Sequence, residues 1–134
     1  MPTNLLFPAL STLIALIVYF AQGIMVGVAR VKYKIEAPKT QGNDDFERIF
    51  RVHYNTLEQL PLFLISLWIF ALLINPLIAG WLGIIWSIGR IGYMIGYYKA
   101  AKLRSYGGTI SSLSMLVLLI GSIWIVVSRM IGGM

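Results

Sequence analysis

Four long apolar segments constrain this chain more than any other feature. They lie near residues 5–28, 57–74, 77–98 and 110–127, and each approaches the roughly 20 apolar residues that a helix needs to cross a hydrocarbon core of about 30 Å. With 58% hydrophobic residues among 134, the chain is too apolar for a soluble domain of this size. We therefore predict an all-α integral membrane protein, a single domain (1–134) whose four helices form an up-down-up-down bundle.

The distribution of basic residues predicts the orientation of this bundle. The net charge is +6, but the basic residues do not share a soluble face with interleaved aromatic residues, so nucleic-acid binding is not expected. Nine of the eleven flank the first and third connections: Arg30, Lys32, Lys34, Lys39, Arg48, Arg51, Lys99, Lys102 and Arg104. The positive-inside rule then places both connections in the cytoplasm. The first segment has no basic residue ahead of it and is too long for a signal peptide, so we expect a retained transmembrane helix.

The connections between the apolar segments carry turn signals. The first is charged and contains proline and glycine, and Asp44 or Asp45 can cap a second helix that begins near Phe46. The second connection, INPLIAG (74–80), is short and uncharged, as in a tight hairpin. The third, LRSYGGT (103–109), is predicted to be a loop because it contains two glycines and basic residues.

The composition limits the chemistry that the chain can perform alone. It contains no cysteine, so it has neither a disulfide framework nor a cysteine nucleophile, and any thiol must come from outside. His53 is the only histidine, which excludes a histidine-based metal cluster within one chain, and no metal is expected. Glycines recur along the third apolar segment, which indicates close packing against neighbouring helices.

Polar residues at helical spacing form a stripe at the head of the second helix. Arg48, Arg51, Asn55 and Glu58 are three or four residues apart, so at about 100° per residue they fall within roughly 80° of one another. The helix continues from this stripe directly into its apolar part. The stripe therefore carries charged groups into the edge of the membrane.

A second polar stripe is predicted on the third helix. Arg90, Tyr93, Tyr97 and Arg104 also fall within about 60° if the helix continues that far. An arginine at the centre of a span costs about 2.5–3.5 kcal/mol, so these residues need partners. An interhelical ion pair between Glu58 and an arginine is the purely structural explanation. One carboxylate cannot neutralise four arginines, however, and the excess favours an anionic ligand bound by guanidinium groups.

The residues of these stripes resemble a known family. The run FERIFRVHYNTLEQLPLF (46–63) is similar to the signature of the membrane-associated proteins in eicosanoid and glutathione metabolism. The run GRIGYMIGYYKAAKLR (89–104) is similar to the third helix of the same family. The resemblance covers nearly the whole chain. It implies a homotrimer of four-helix subunits that binds glutathione, as co-substrate, between neighbouring subunits at the cytoplasmic side.

The resemblance also implies roles for individual residues. The glutathione-binding set would be Arg30, Arg48, Arg51, Asn55, Glu58, Arg90, Tyr93, Tyr97 and Arg104. Glu58 would bind the ammonium group of glutathione. Arg104, with Tyr97, would be catalytic by stabilising the thiolate, because a thiol with a pKa of about 8.5 is only a few per cent ionised at neutral pH.

The implied activity is that of a glutathione transferase that conjugates glutathione to hydrophobic electrophiles in the bilayer, with reduction of lipid hydroperoxides as a second activity. Gln59 replaces a tyrosine of leukotriene C synthase, His53 replaces a glutamine, and the tryptophan that caps the lipid substrate there has no clear counterpart. General detoxification is therefore favoured over leukotriene synthesis.

Two other functions remain open. A non-catalytic lipid-binding scaffold of the lipoxygenase-activating type would not need the thiol-activating end of the stripe. A small multidrug exporter would need an acid in the first span, where Gln22 is the only strongly polar residue. The sequence RMIGGM at the end of the chain contains no endoplasmic-reticulum retrieval signal, which favours a bacterial inner membrane.

Overall fold

Four long helices make up the protein. The computed structural model describes residues 2–133, and its helices are α1 (Leu6–Tyr33), α2 (Asp44–Leu73), α3 (Pro76–Lys99) and α4 (Arg104–Gly132), with short 3-10 turns at Thr3–Leu5 and Ala101–Leu103. All four helices are long and apolar enough to span a membrane, and residues 2–133 contain no strand. The predicted all-α, four-helix membrane fold is thus confirmed.

Asparagine caps determine where α2 and α3 begin. The side-chain oxygen of Asn43 accepts hydrogen bonds from the backbone N–H groups of Asp45, at 3.0 Å, and Phe46, at 3.1 Å. The prediction that Asp44 or Asp45 caps α2 is therefore wrong, and the helix begins two residues before the predicted start. The aspartates lie in the first turn, where their negative charge is favourable near the helix N-terminus. Asn75 caps α3 in the same way.

The connection between α3 and α4 is shorter than predicted. The third helix ends at Lys99, Ala100 is extended, and after one 3-10 turn α4 begins at Arg104. Residues 103–109 therefore do not form a loop, since all but the first belong to α4. The predicted stripe placed Arg104 on α3, but this residue is the first of α4.

Glycine in this region serves helix packing instead of a turn. A Cβ atom on Gly107 would collide with the backbone nitrogen of Tyr93 on α3. A Cβ on Gly89 would lie only 2.6 Å from the backbone nitrogen of Ser111 on α4. The backbones of α3 and α4 can approach closely only because these side chains are missing, as is common between helices in lipid.

One half of the bundle has an apolar core, and the other half is more polar. In the apolar half, the rings of Phe63 and Trp86 stack with centroids 4.0 Å apart, and Leu67 and Leu118 are fully buried beside them. Successive helices alternate in direction, so the first and third connections lie at the same end of the bundle. The polar residues described next lie towards that end.

Candidate functional site

A polar cleft runs between α2, α3 and the first turns of α4. Its outer part, next to the connections, has a volume of about 630 Å³ and includes Asp44 and Arg51. Its inner part, deeper along the helices, has a volume of about 540 Å³ and includes Glu58. Asn55, Tyr93 and Arg104 line both parts. We therefore treat the two parts as one continuous site, called the polar cleft below.

Eight of the nine predicted site residues line this cleft. They are Arg48, Arg51, Asn55, Glu58, Arg90, Tyr93, Tyr97 and Arg104. The two stripes, predicted separately on successive segments, thus face each other across one site. Their assignment to glutathione stays a prediction.

Arg90 is buried on the α3 side of the cleft, with only 1% of its surface exposed. Its Nε and Nη2 atoms donate hydrogen bonds to the hydroxyl oxygen of Thr56, at 3.1 and 2.7 Å. Its guanidinium carbon also lies 4.2 Å from the ring centroid of Tyr93, a favourable cation–π distance. Arg90 is therefore held by a hydroxyl group and an aromatic face.

The ion pair between Glu58 and an arginine, which was the purely structural alternative, is absent from the described residues. Positions two residues apart on a helix differ by about 200° around its axis. Thr56 therefore points towards α3, while Glu58 lies on an exposed face of α2 in the single chain. The ion pair found within residues 2–133 joins Arg48 to Asp45 in the first turns of α2. Glu58 is consequently available to a ligand.

A chain of polar contacts crosses the cleft from α2 to α4. The side-chain nitrogen of Asn55 donates to the hydroxyl of Tyr93 at 2.6 Å, and the rings of Tyr93 and Tyr97 lie 5.6 Å apart. Nη1 of Arg104 donates to the hydroxyl of Tyr97 at 3.3 Å, and its guanidinium carbon lies 5.2 Å from that ring centroid. Arg104 thus meets the α3 stripe from the start of α4, although α3 itself ends earlier.

The charge of the lining is less positive than the sequence predicted. Four arginines line the cleft, but so do three carboxylates, because Asp44 and Glu47 lie at the rim of the outer part beside Arg48 and Arg51. The side chain of Glu47 accepts a hydrogen bond from the backbone of Gly42 at 3.1 Å, which explains why it lies at this helix end. The lining keeps a net charge of +1.

Arg30 and His53 lie outside the polar cleft of the same chain. Arg30 donates a 2.7 Å hydrogen bond to the backbone carbonyl of Lys39 and packs over the ring of Phe46, at 5.1 Å from its centroid. It ties the first connection to the end of α1. His53 faces α1, where its ring stacks on Tyr19 with centroids 4.7 Å apart.

The contribution of α4 to the inner part of the cleft was not predicted from the sequence. Ser105, Thr109 and Ser112 line it together with Gln59 from α2. The three hydroxyl residues are four and three positions apart, which is a helical spacing. The signal was therefore present in the sequence, but it was hidden by the prediction that residues 103–109 form a loop.

Sequence comparisons agree with this architecture. The model of the MAPEG family matches residues 8–124. An uncharacterized protein of Synechocystis is 50% identical over 121 residues, which cover 90% of this chain and 88% of that protein. Human microsomal glutathione S-transferase 2 is 43% identical over 101 residues, covering 75% of this chain and 67% of the enzyme. Mouse leukotriene C4 synthase is 32% identical over 93 residues, covering 69% and 62%.

Proposed function

Because this chain belongs to the MAPEG family, we propose that it is a membrane glutathione transferase that joins the glutathione thiolate to hydrophobic electrophiles from the bilayer. The proposal depends on the position of Arg104. This residue lines both parts of the polar cleft and contacts Tyr97. One part can therefore hold the tripeptide while the other admits the electrophile. A relative that is by name a glutathione transferase supports the same activity.

Glutathione is complementary in charge to the lining of the cleft. Its two carboxylates and one ammonium give it a net charge of −1 with the thiol protonated, against the net charge of +1 for the lining. Glu58 binds the ammonium group, and Arg51, which is exposed on α2, binds a carboxylate through its planar guanidinium. Asn55 positions the peptide from the boundary between the two parts.

Arg104 activates the thiol electrostatically. A free thiol of this kind has a pKa of about 8.5, and a guanidinium within about 4–6 Å of a titrating group lowers such a pKa by about one to three units. The hydroxyl of Tyr97 accepts a hydrogen bond from Arg104, so its own proton is free to be donated to the sulfur. The thiol proton leaves to water, and no general base from the chain is required.

The thiolate then reacts with either of two kinds of electrophile. With an activated double bond or a carbon that bears a leaving group, a sulfur–carbon bond forms and the displaced electron pair goes to the adjacent carbon or to the leaving group. With a hydroperoxide, the sulfur attacks the terminal oxygen and becomes a sulfenic acid. The oxygen–oxygen bond breaks, and the alkoxide that leaves takes a proton from water and is released as the lipid alcohol. A second glutathione then releases water and glutathione disulfide.

We propose a homotrimer in a bacterial inner membrane, with the first and third connections in the cytoplasm. Arg30 lies outside the cleft of its own chain and is held near the bundle end by Lys39 and Phe46. A trimer that brings Arg30 of one subunit to the cleft of the next would complete the predicted set of ligands.

The test is a titration of glutathione into purified, detergent-solubilised protein near neutral pH, followed by the ultraviolet absorbance of the thiolate. We expect a saturable thiolate signal that disappears in Arg104→Ala. Arg129→Ala is the matched control, because Arg129 is also on α4 but bonds the carbonyl of Leu73 at the opposite end of the bundle. Glutathione binding without turnover of any electrophile would instead indicate a lipid-binding scaffold of the lipoxygenase-activating type.

A further inference from the structure

Two lysines at the junction of α3 and α4 have no acidic residue near them in the sequence. Residues 59–134 contain neither aspartate nor glutamate. Lys99, the last residue of α3, and Lys102, in the 3-10 turn that follows, are both exposed. The ion pair found within residues 2–133 lies on α2, so neither ammonium group is neutralised by the described part of the chain.

Lys99 lies on the side of α3 that faces away from the polar cleft. Tyr97 lines the cleft, and positions two residues apart on a helix differ by about 200° around its axis. Lys102 belongs to the lining of neither part of the cleft. The proposed binding of glutathione therefore does not account for either lysine. A neighbouring subunit that closes the cleft would leave this side of α3 free.

The face of α3 that carries Lys99 is apolar over the thickness of a membrane. Trp81, Ile88 and Ile95 precede Lys99 by 18, 11 and 4 residues, which places all four side chains within about 40° on the helix. The three apolar side chains are exposed. From Trp81 to Lys99 the helix rises about 27 Å at 1.5 Å per residue, close to the hydrocarbon thickness of about 30 Å. With this face against lipid, the ammonium group of Lys99 lies at the level of the headgroups.

The first turns of α4 continue this apolar surface beyond Lys102. Tyr106, with 74% of its surface exposed, and Ile110, also exposed, are four residues apart and share one helix face. Ile110 is two residues before Ser112, which lines the cleft, so this face of α4 also points away from the cleft. An exposed tyrosine at the end of a spanning helix is typical of the interface between lipid and water.

One anionic group can contact both lysines. Three residues separate Lys99 from Lys102, so their Cα atoms are at most about 11 Å apart, and each ammonium group is on a flexible four-carbon stem. The turn between them is packed tightly against α3, because a Cβ atom on Gly96 would collide with the carbonyl oxygen of Leu103. Two like charges held this close at the edge of a medium of low dielectric constant repel each other, and a bound anion relieves that repulsion.

We infer that Lys99 and Lys102 bind the headgroup of an anionic phospholipid whose acyl chains lie against the exposed faces of α3 and α4. The phosphate pairs with the two ammonium groups, and the acyl chains pass Ile95 and Ile110. A zwitterionic phospholipid is disfavoured, because its own ammonium group is repelled by the two lysines. The site lies across α3 from the polar cleft, so lipid binding does not depend on the proposed transferase activity.

The expected preference for the anionic lipid follows from the number of lysines. A lysine near an anionic membrane surface contributes about 1 kcal/mol, which corresponds to about fivefold in Kd. We expect phosphatidylglycerol to be preferred over phosphatidylcholine by about 5- to 25-fold at low ionic strength. In 1 M salt the Debye length is about 3 Å, and the preference should fall towards one.

The absence of cysteine from the chain allows a local measurement of the bound lipid. Ile95→Cys places a single thiol one turn before Lys99, and a fluorophore attached to it reports on lipid that is in contact with this face. The labelled full-length protein is reconstituted in phosphatidylcholine vesicles. Quenching is then compared for spin-labelled phosphatidylglycerol and spin-labelled phosphatidylcholine at increasing mole fraction. The ratio of the two mole fractions at half-maximal quenching gives the preference.

Variants in the labelled background identify the charges that are responsible. Lys99→Gln combined with Lys102→Gln should reduce the preference to about one, whereas Lys99→Arg combined with Lys102→Arg should keep it. Lys34→Gln combined with Lys39→Gln is the matched control, because it removes two exposed lysines from the first connection at the same end of the bundle. The control should keep the preference. If the double glutamine variant does not insert, each single Lys→Gln substitution is compared with its Lys→Arg counterpart.

Four results would overturn this inference. The first is equal quenching by the two lipids at low ionic strength. The second is a preference that persists when both Lys99 and Lys102 are glutamine. The third is an equal loss in the Lys34→Gln and Lys39→Gln control, which would assign the preference to the total charge at this end of the bundle. The fourth is displacement of the lipid by inorganic phosphate at constant ionic strength, which would show that the lysines bind a free anion.

Discussion

Thr56→Val tests how the buried guanidinium of Arg90 is held. Valine has nearly the shape of threonine but has no hydroxyl, so the substitution removes both hydrogen bonds that Arg90 donates, at 3.1 and 2.7 Å. Arg90 lines the cleft but is only 1% exposed, so little water can reach the guanidinium to replace the lost acceptor. The variant leaves a charged donor buried with the ring of Tyr93 as its one partner among residues 2–133.

The expected cost follows from the character of these bonds. Hydrogen bonds to charged groups contribute about 1.5–3 kcal/mol each, but interhelical bonds in membranes average only about 0.6 kcal/mol because the unfolded helices find other partners. Both bonds of Arg90 share one acceptor oxygen, so their contributions are not additive. We expect Thr56→Val to reduce the free energy of unfolding by about 2 kcal/mol.

Glutathione binding provides a second readout. Without Thr56, Arg90 gains by moving towards Glu58, the one carboxylate among the described residues that line the inner part of the cleft. Glu58 would then be partly neutralised, and its loss as an ammonium ligand should raise the Kd for glutathione by roughly fivefold, or about 1 kcal/mol. Thr56→Ser keeps the acceptor and should leave the Kd unchanged.

The measurements are denaturant unfolding in detergent micelles and calorimetric titration with glutathione, both on purified protein. Unfolding that is unchanged in Thr56→Val would refute the argument, because it would mean that the hydroxyl of Thr56 does not support Arg90. A loss of stability equal in Thr56→Val and Thr56→Ser would assign the effect to packing. Only a difference between the two variants supports the hydrogen-bonding account.

Three further substitutions test other parts of the site. Arg104→Ala should lower kcat about 100-fold, as when one electrostatic stabiliser is removed, with a smaller change in glutathione affinity. If Arg104 lowers the pKa of the bound thiol, as proposed, the rising limb of the pH–rate profile of Arg104→Ala should move to higher pH, towards about 8.5; an unmoved limb would exclude this role. Glu58→Gln should raise the KM for glutathione about tenfold and the KM for an analogue without the amino group hardly at all. Gly107→Ala should destabilise the bundle by more than about 2 kcal/mol because its Cβ meets the backbone of Tyr93, whereas Gly27→Ala, with no atom within 4 Å of the new Cβ, should be tolerated in the same unfolding assay.

The features that were predictable from the sequence are those set by local periodicity. The apolar segments gave four helices because their length alone meets the thickness of the bilayer. The polar residues from Arg48 to Glu58 were correctly predicted to share one helix face, because they lie in a single uninterrupted helix. The shared face of Arg90 and Tyr93 was predictable for the same reason, because both lie on α3. None of these predictions required knowledge of which helix packs against which.

The errors about α4 and about Arg90 arose because the answer there depends on a second helix. Gly107 has the composition of a turn, but its lack of a side chain is needed for contact with Tyr93 on α3, which the sequence of α4 alone does not reveal. The partner of Arg90 was sought among carboxylates because charge is easily read from sequence. Its actual partner, Thr56, is a neutral residue that reaches Arg90 only because α2 packs against α3.

The corrected start of α4 changes the electrostatics of the proposed thiolate site. If α3 had continued to Arg104, that residue would lie near a helix C-terminus, whose partial negative charge opposes an anion. Instead Arg104 is the first residue of α4, and no side chain caps this helix start. The N-terminal N–H groups carry a partial positive charge, and Arg104, Ser105 and Gly108 bring this turn to the wall of the cleft. The helix start and the guanidinium thus favour the same negative charge, and the contact between Arg104 and Tyr97 holds the guanidinium in place before the charge develops, as electrostatic stabilisation requires.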